Sequence, residues 1–330
     1  MSLRANGFRT VLVTGGGGFI GSHVVRDLLA QGVKVLVTAR FLNGRISDYA
    51  QSNLPSDTGL RILDANSDYD MSEIDAVIHL AAVTEIPFSL ENPAATFEAN
   101  YTGTLKLLEK ARRHDGLRHV ILVSSEQVYS MPPSYLPIDE KHPVGPATPY
   151  ALSKLQQEQL VQVYGKCYGL PVTILRSGLL FGERQKDKGI TNLIRRAISN
   201  QQIVVEGGEQ TRDIYHVGNL VHAVNLALTR KAQGEIYNIA GRFEVRVSEL
   251  VERITAMARS KSEIKRVAYR KNEGPATRMS LDITKAERLL GYFPVVTFQE
   301  GLARTIDWLS GNLTKRSGNP TSKLDGQGLN

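Results

Sequence analysis

Short apolar runs recur through the first half of the chain and alternate with stretches whose apolar positions fall three and four apart. Thr10–Val13, Val33–Val37, Leu60–Leu63, Ala76–Leu80, Val120–Val123 and Val172–Leu175 are continuous runs that read as strands buried on both faces. After the first of them, Val24, Val25, Leu28 and Leu29 mark one face of a helix. Strands alternating with helices predict an α/β fold, a doubly wound parallel sheet, over residues 1–176. Beyond Arg176 the texture changes to longer loops rich in Gly, Arg and Gln, which predicts a smaller C-terminal lobe over 177–312, with some later segments returning to the sheet domain. Within it Ile203–Val205 and Ile236–Ile239 read as strands, and Val247–Ala258, Ile283–Leu290 and Phe298–Leu309 as helices. Residues 313–330 lack apolar periodicity and predict a disordered tail.

Composition narrows the setting. At 42% hydrophobic and 22% charged residues the chain has the balance of a soluble globular protein. No run of about 18 apolar residues and no basic-then-apolar leader is present, so neither a membrane nor export is expected. The lone cysteine, Cys167, has no disulfide partner; it reads as a packing residue in a reducing, cytoplasmic setting. The formal charge of +7 is not gathered into a basic block with interleaved aromatics, so small anions rather than nucleic acid are the expected partners. His79, His119 and His142 lack ligand spacing, and no metal is expected.

The first strand runs into Thr14-Gly-Gly-Gly-Gly-Phe-Ile-Gly21. Gly15 permits a tight turn, Gly18 allows backbone N–H groups close to a pyrophosphate, and Gly21 lets the following helix pack on the strand. Strand, glycine turn and helix together predict a Rossmann dinucleotide site, with Phe19 and Ile20 opening the helix. An acid that would hold the adenosine ribose is missing where the second strand ends; Arg40 follows, with Arg45 nearby, so NADP is expected ahead of NAD. Asp64 ends the third strand, where it is placed either to bind an adenine amino group or to cap a turn.

Tyr150 and Lys154 stand four apart at the start of a helical pattern, so they share a face. An ammonium near a phenol favours phenolate, which suits Tyr150 for moving a proton on a sugar hydroxyl while hydride moves to or from a nicotinamide. Ser125 directly follows an apolar strand, at the sheet edge where ligands bind, and is placed to hydrogen-bond a developing alkoxide.

The segments TGGGGFIG at 14–21, HLAA at 79–82, NYTGT at 100–104, SSEQVY at 124–129, YALSK at 150–154, LRSGLLFGERQ at 175–185, GGEQTRDIYHV at 207–217, YNIAG at 237–241 and DITKAERLLGYFP at 282–294 occur in an order that resembles the extended short-chain dehydrogenases/reductases of the NAD-dependent epimerase/dehydratase family. That resemblance implies a nucleotide-activated sugar as substrate and Ser125, Tyr150 and Lys154 as the catalytic trio, with Glu126 in a neighbouring acid position. It implies cofactor contacts from Ala65, Leu80, Ala81, Ala82 and Asn100, and substrate contacts from Thr84, Asn192, Leu193, Val205, Arg212 and Arg278 or Arg270. Two departures stand out: Leu179 where the family often has Asn, and Val205 where an aromatic often stacks on the base. Dehydratases of the family carry Asp-Glu after the catalytic hydroxyl, whereas this chain has Glu126-Gln127. The expected activity is NADP(H)-dependent reduction of a keto group on such a sugar, with 4-epimerisation or 4,6-dehydration by a retained cofactor as the alternative; a dinucleotide-binding sensor or scaffold without turnover is the third reading. The resemblance also implies a homodimer built on the helices beginning near Pro93 and at Tyr150.

Overall fold

A computed structural model describes residues 3–4, 6–39, 46–186, 189–228, 232–268 and 278–317. Arg40, Arg45, Arg270 and the tail from 318 lie outside the described residues. Seven strands form one parallel sheet: β1 (Thr10–Thr14), β2 (Lys34–Ala39), β3 (Leu60–Asp64), β4 (Ala76–His79), β5 (His119–Ser125), β6 (Val172–Ser177) and β10 (Ile236–Ile239). Their spatial order is β3-β2-β1-β4-β5-β6-β10. The order reverses between β1 and β4, and this reversal opens a crevice at the carboxyl ends of those strands. β1, β4 and β5 are buried along their whole length, as their unbroken apolar runs require.

Helices cover both faces. On one, α1 (Phe19–Ala30) packs beside α8 (Val217–Ala227), and Val24, Val25, Leu28, Leu220 and Val224 share a core with Val11, Val13 and Ile78. On the other, α5 (Gly103–Ala111) and α6 (Pro149–Tyr168) place Leu107, Leu108, Val161 and Tyr164 against Leu12, Val77 and Leu122. Short helices α2 (Asp48–Asn53), α3 (Ile86–Glu91) and α4 (Pro93–Phe97) lie in the loops at the crevice, and α4 runs into α5 through a π-helical turn, Glu98–Thr102.

The second lobe holds β7 (Leu179–Phe181), β9 (Thr211–His216) and β11 (Glu244–Arg246) in one small sheet and β8 (Ile203–Glu206) with β12 (Ile264–Val267) in another. Helices α7 (Ile190–Ile198), α9 (Val247–Met257) and α11 (Phe298–Ser317) close its core, while α10 (Thr284–Leu290) packs against β10.

β10 is one of the later segments that return to the central sheet, beside β6, where Tyr237, Asn238 and Ile239 are fully buried. Two sequence expectations are corrected. α11 continues to Ser317, so 313–317 are helical rather than tail. Cys167, on α6, is exposed rather than packed in the core.

Candidate active site

The turn after β1 fits a dinucleotide by its own geometry. Gly15 has φ +70°, and a Cβ there would meet Ala81 backbone at 2.9 Å. A Cβ at Gly21 would stand 2.3 Å from Gly15 O, so helix and turn touch backbone to backbone. No side chain caps the start of α1 and no acid lies in its first turn. Its leading N–H groups and its positive end are therefore open to an anion. Phe19 and Ile20, both half-buried, open this helix. The loops after the neighbouring strands complete the cradle. Leu80 and Ala81, after β4, donate their N–H groups to Thr14 Oγ1, both at 3.2 Å, and Ala82 follows. Asn100, buried inside the π-helical turn, donates to Val83 O at 3.0 Å and to Ser153 Oγ at 2.8 Å while accepting from Val83 N at 2.7 Å, which fixes the loop carrying Thr84. At the far edge Ala39 ends β2 opposite Asp64 of β3, and Ala65 N donates to Ala39 O at 2.8 Å. Asp64 Oδ1 accepts from Asn66 N at 3.0 Å in the local turn after β3.

Tyr150 is placed by the start of α6. Thr148 accepts from Ala151 N at 3.1 Å and Pro149 occupies the first turn, so the helix begins where the sequence says it should. Tyr150 thereby sits at the positive end of a 20-residue helix, which favours its phenolate. Ser125 ends β5, accepts from Gln127 N at 3.2 Å and hydrogen-bonds Tyr150. Burial raises the Tyr150 phenol above its usual value, Ser125 opposes that rise, and the charge of Glu126 adds to it.

Lys154 lies one turn further along α6 and is 3% exposed. Its ammonium donates to Val123 O at 2.8 Å and to Gln157 Oε1 at 2.6 Å, and burial pulls it down to about 8. The sequence reading had this ammonium lowering the tyrosine directly; in the structure its hydrogen bonds go to β5 and to its own helix instead.

Glu126 is 5% exposed, and its Oε2 has no hydrogen-bond partner. Burial first and the Asp213 carboxylate second push it up to about 8, so it stays protonated near neutral pH. Gly178 packs beside it, a Cβ there lying at ordinary contact distance, 3.4 Å, from that oxygen. Asp213 is itself raised by burial, against backbone N–H groups of Gly241, Leu281 and Phe243 that stabilise its anion. Sequence reading missed this second carboxyl, since a separation of 87 positions between Glu126 and Asp213 erases any local signal.

The expected substrate residues divide. Thr84 is exposed at the crevice, and Asn192 and Leu193 are half-buried on α7. Arg212, on β9, donates to Thr211 O at 2.7 Å. Arg278 forks onto Glu244 at 2.8 and 2.7 Å, so its guanidinium already holds a carboxylate. Val205, 3% exposed, packs in the core of the second lobe and presents no face to a base. No group of three metal-ligating side chains exists among the described residues, and His79, His119 and His142 hydrogen-bond within the protein. No helix among the described residues is long and apolar enough to cross a membrane.

The model of the NAD dependent epimerase/dehydratase family matches residues 11–240. A Methanocaldococcus jannaschii protein named provisionally as a UDP-glucose 4-epimerase is 35% identical over 92% of this chain and 99% of its own length. The dTDP-glucose 4,6-dehydratase of Xanthomonas campestris pv. campestris is 30% identical over 92% of this chain and 94% of its own length. The crystal structure of UDP-glucuronic acid 4-epimerase from Bacillus cereus, in complex with UDP-glucuronic acid and NAD, superposes with a TM-score of 0.82 at 27% identity, covering 92% of this chain and 99% of that one.

Proposed function

The chain belongs to the NAD dependent epimerase/dehydratase family, and on that premise we propose that it is a nucleotide-sugar 4-epimerase that keeps its dinucleotide bound through the cycle. The observation that carries this choice is the pair after Ser125. Glu126 is buried and protonated, and Gln127 is an amide that takes no proton near neutral pH, so dehydration lacks its base. Ser125, Tyr150 and Lys154 in this reading are enough to move a proton on and off one sugar oxygen, and the Ser125–Tyr150 hydrogen bond supports it. Net keto reduction, the first expectation from the sequence, yields to the alternative because the named relatives are epimerases and dehydratases.

The bound dinucleotide supplies reversible hydride exchange with the sugar carbon and a positive charge near the phenol. Tyr150 takes the proton from the sugar hydroxyl and later returns it. Ser125, whose oxygen already accepts from Gln127 N, turns its own proton toward the reacting oxygen and stabilises negative charge as it develops. Glu126, carrying its proton, offers a donor to the sugar where an ionised carboxylate would repel an alkoxide. Arg212 is our candidate for the nucleotide diphosphate. The dinucleotide is NAD by family, and the absence of an acid at Ala39, with Arg40 next in sequence, supports acceptance of NADP as well. A homodimer is part of the same reading: Leu152 and Val163 of α6 and Tyr101 of the π-helical turn leave large apolar side chains exposed.

The test is incubation with UDP- and dTDP-hexoses, with products read by NMR and the cofactor by absorbance. Inversion at C4 without net change of cofactor is expected. A 4-keto-6-deoxy product would replace the epimerase with a dehydratase, and stoichiometric consumption of NADPH on a keto sugar would restore the reductase.

A further inference from the structure

Behind Lys154 a chain of polar side chains leads to the two cofactor loops. Gln157, wholly buried one turn after Lys154, accepts from its ammonium at 2.6 Å. The amide's other end donates to Asn100 O at 3.0 Å and to Thr104 Oγ1 at 2.6 Å, which fixes the oxygen toward the ammonium. Thr104 gives its own proton to Asn100 O at 2.6 Å, so its lone pairs are left for Gln157 and for His79 Nε2 at 2.8 Å. His79 is then the neutral Nε2–H tautomer, and its Nδ1 accepts from the Thr14 hydroxyl at 2.6 Å. The opposite tautomer would bring three donors to Thr14 Oγ1, since Leu80 N and Ala81 N already donate there, and would strand the hydroxyl proton. Every proton in the chain has an acceptor only in the first arrangement.

We infer that Gln157 is a positioning residue which, through Thr104 and His79, ties the Lys154 ammonium to the loops after β1 and β4. The inference rests on the reading of Lys154 as part of the dinucleotide and catalytic site. Position and charge of Lys154 are then set by the same hydrogen bonds that shape the cofactor cradle. The titratable group acting on Lys154 is Glu158 on its own helix, whose charge opposes the fall; burial, with the lysine's charge adding to it, holds His79 on β4 down to about 3, so that link stays neutral.

The experiment is a pH titration of the cofactor-free full chain labelled with carbon-13 at lysine side chains, with the Lys154 signal assigned by its loss in Lys154→Met. Gln157→Leu removes an acceptor from the charged form and should lower the Lys154 midpoint by about one unit or more. Thr104→Val removes the acceptor of the Gln157 amide and of His79 Nε2 and the donor to Asn100 O but leaves Gln157 Oε1 beside the ammonium, so it should lower the midpoint less, and Thr104→Ser should restore it. NAD affinity, measured on the same proteins, should fall in the same order. An unmoved midpoint in a cooperatively melting Gln157→Leu protein would overturn the inference. If that variant does not fold, equal midpoints in Thr104→Val and Thr104→Ser would overturn it instead. Because the titration uses neither substrate nor cofactor, failure of the epimerase reading, seen as inactivity of the native chain on every hexose nucleotide, is separate from failure here.

Discussion

Tyr150 and Glu126 are neighbours whose protonation is set by burial, yet they have opposite tasks. Tyr150→Phe preserves the ring's packing and removes only the proton carrier. Its kcat should fall by roughly 10²–10⁴, the usual worth of general acid–base catalysis, while NAD affinity stays within about twofold. Near-normal turnover would move the proton transfer to Glu126. That carboxyl has a folded pKa near 8 against an ordinary value of 4.5. Between those values the folded state binds the extra proton, so the stabilisation is complete below 4.5 and is lost as pH rises through 8. Glu126→Gln, which cannot ionise, should therefore gain Tm relative to the native chain as pH climbs across that window. A Tm difference that does not vary with pH would mean Glu126 is already ionised at neutrality.

Elements bring such residues together by where they start and where they deviate. The α6 cap sets Tyr150, and the π-helical turn sets Asn100, whose amide locks the loop after β4. In Gly21→Ala the new methyl would collide with Gly15 O and Gly16 Cα, both backbone atoms that cannot rotate away. Loss of NAD binding by calorimetry and a destabilisation of about 1–3 kcal/mol are expected. The outer face of α6 carries the dimer proposal. Sedimentation at micromolar concentration should give a dimer, and Val163→Lys should shift it toward monomer with little change in Tm; a native chain that sediments only as monomer rejects the proposal.

For the whole molecule, the crevice lies between two lobes built differently. The sheet domain carries the glycine turn, Ser125, Tyr150 and Lys154, while the second lobe brings the charges of Asp213 and Arg212 to bear on Glu126. Cofactor preference is a property of this assembly. NAD and NADP should both raise Tm by binding only the folded state. Arg40→Ala should weaken NADP selectively, by about tenfold if one charged contact to the 2′-phosphate is lost; equal losses for both cofactors would remove Arg40 from the phosphate site.

The sequence by itself determined whatever is written at short range. Continuous apolar runs marked the strands, glycines at 15, 18 and 21 marked the turn after β1, and the four-residue spacing of Tyr150 and Lys154 marked a shared helix face. These features are legible because backbone geometry repeats within a few residues. Only the tertiary structure decided that β10 joins the central sheet, that Val205 faces a core, that Glu126 meets Asp213 and stays protonated, and that Lys154 answers to Gln157, Thr104, His79 and Thr14. Those outcomes depend on burial and on donors and acceptors meeting across strands far apart in the chain, and neither desolvation nor the pairing of a particular proton leaves a trace in local spacing.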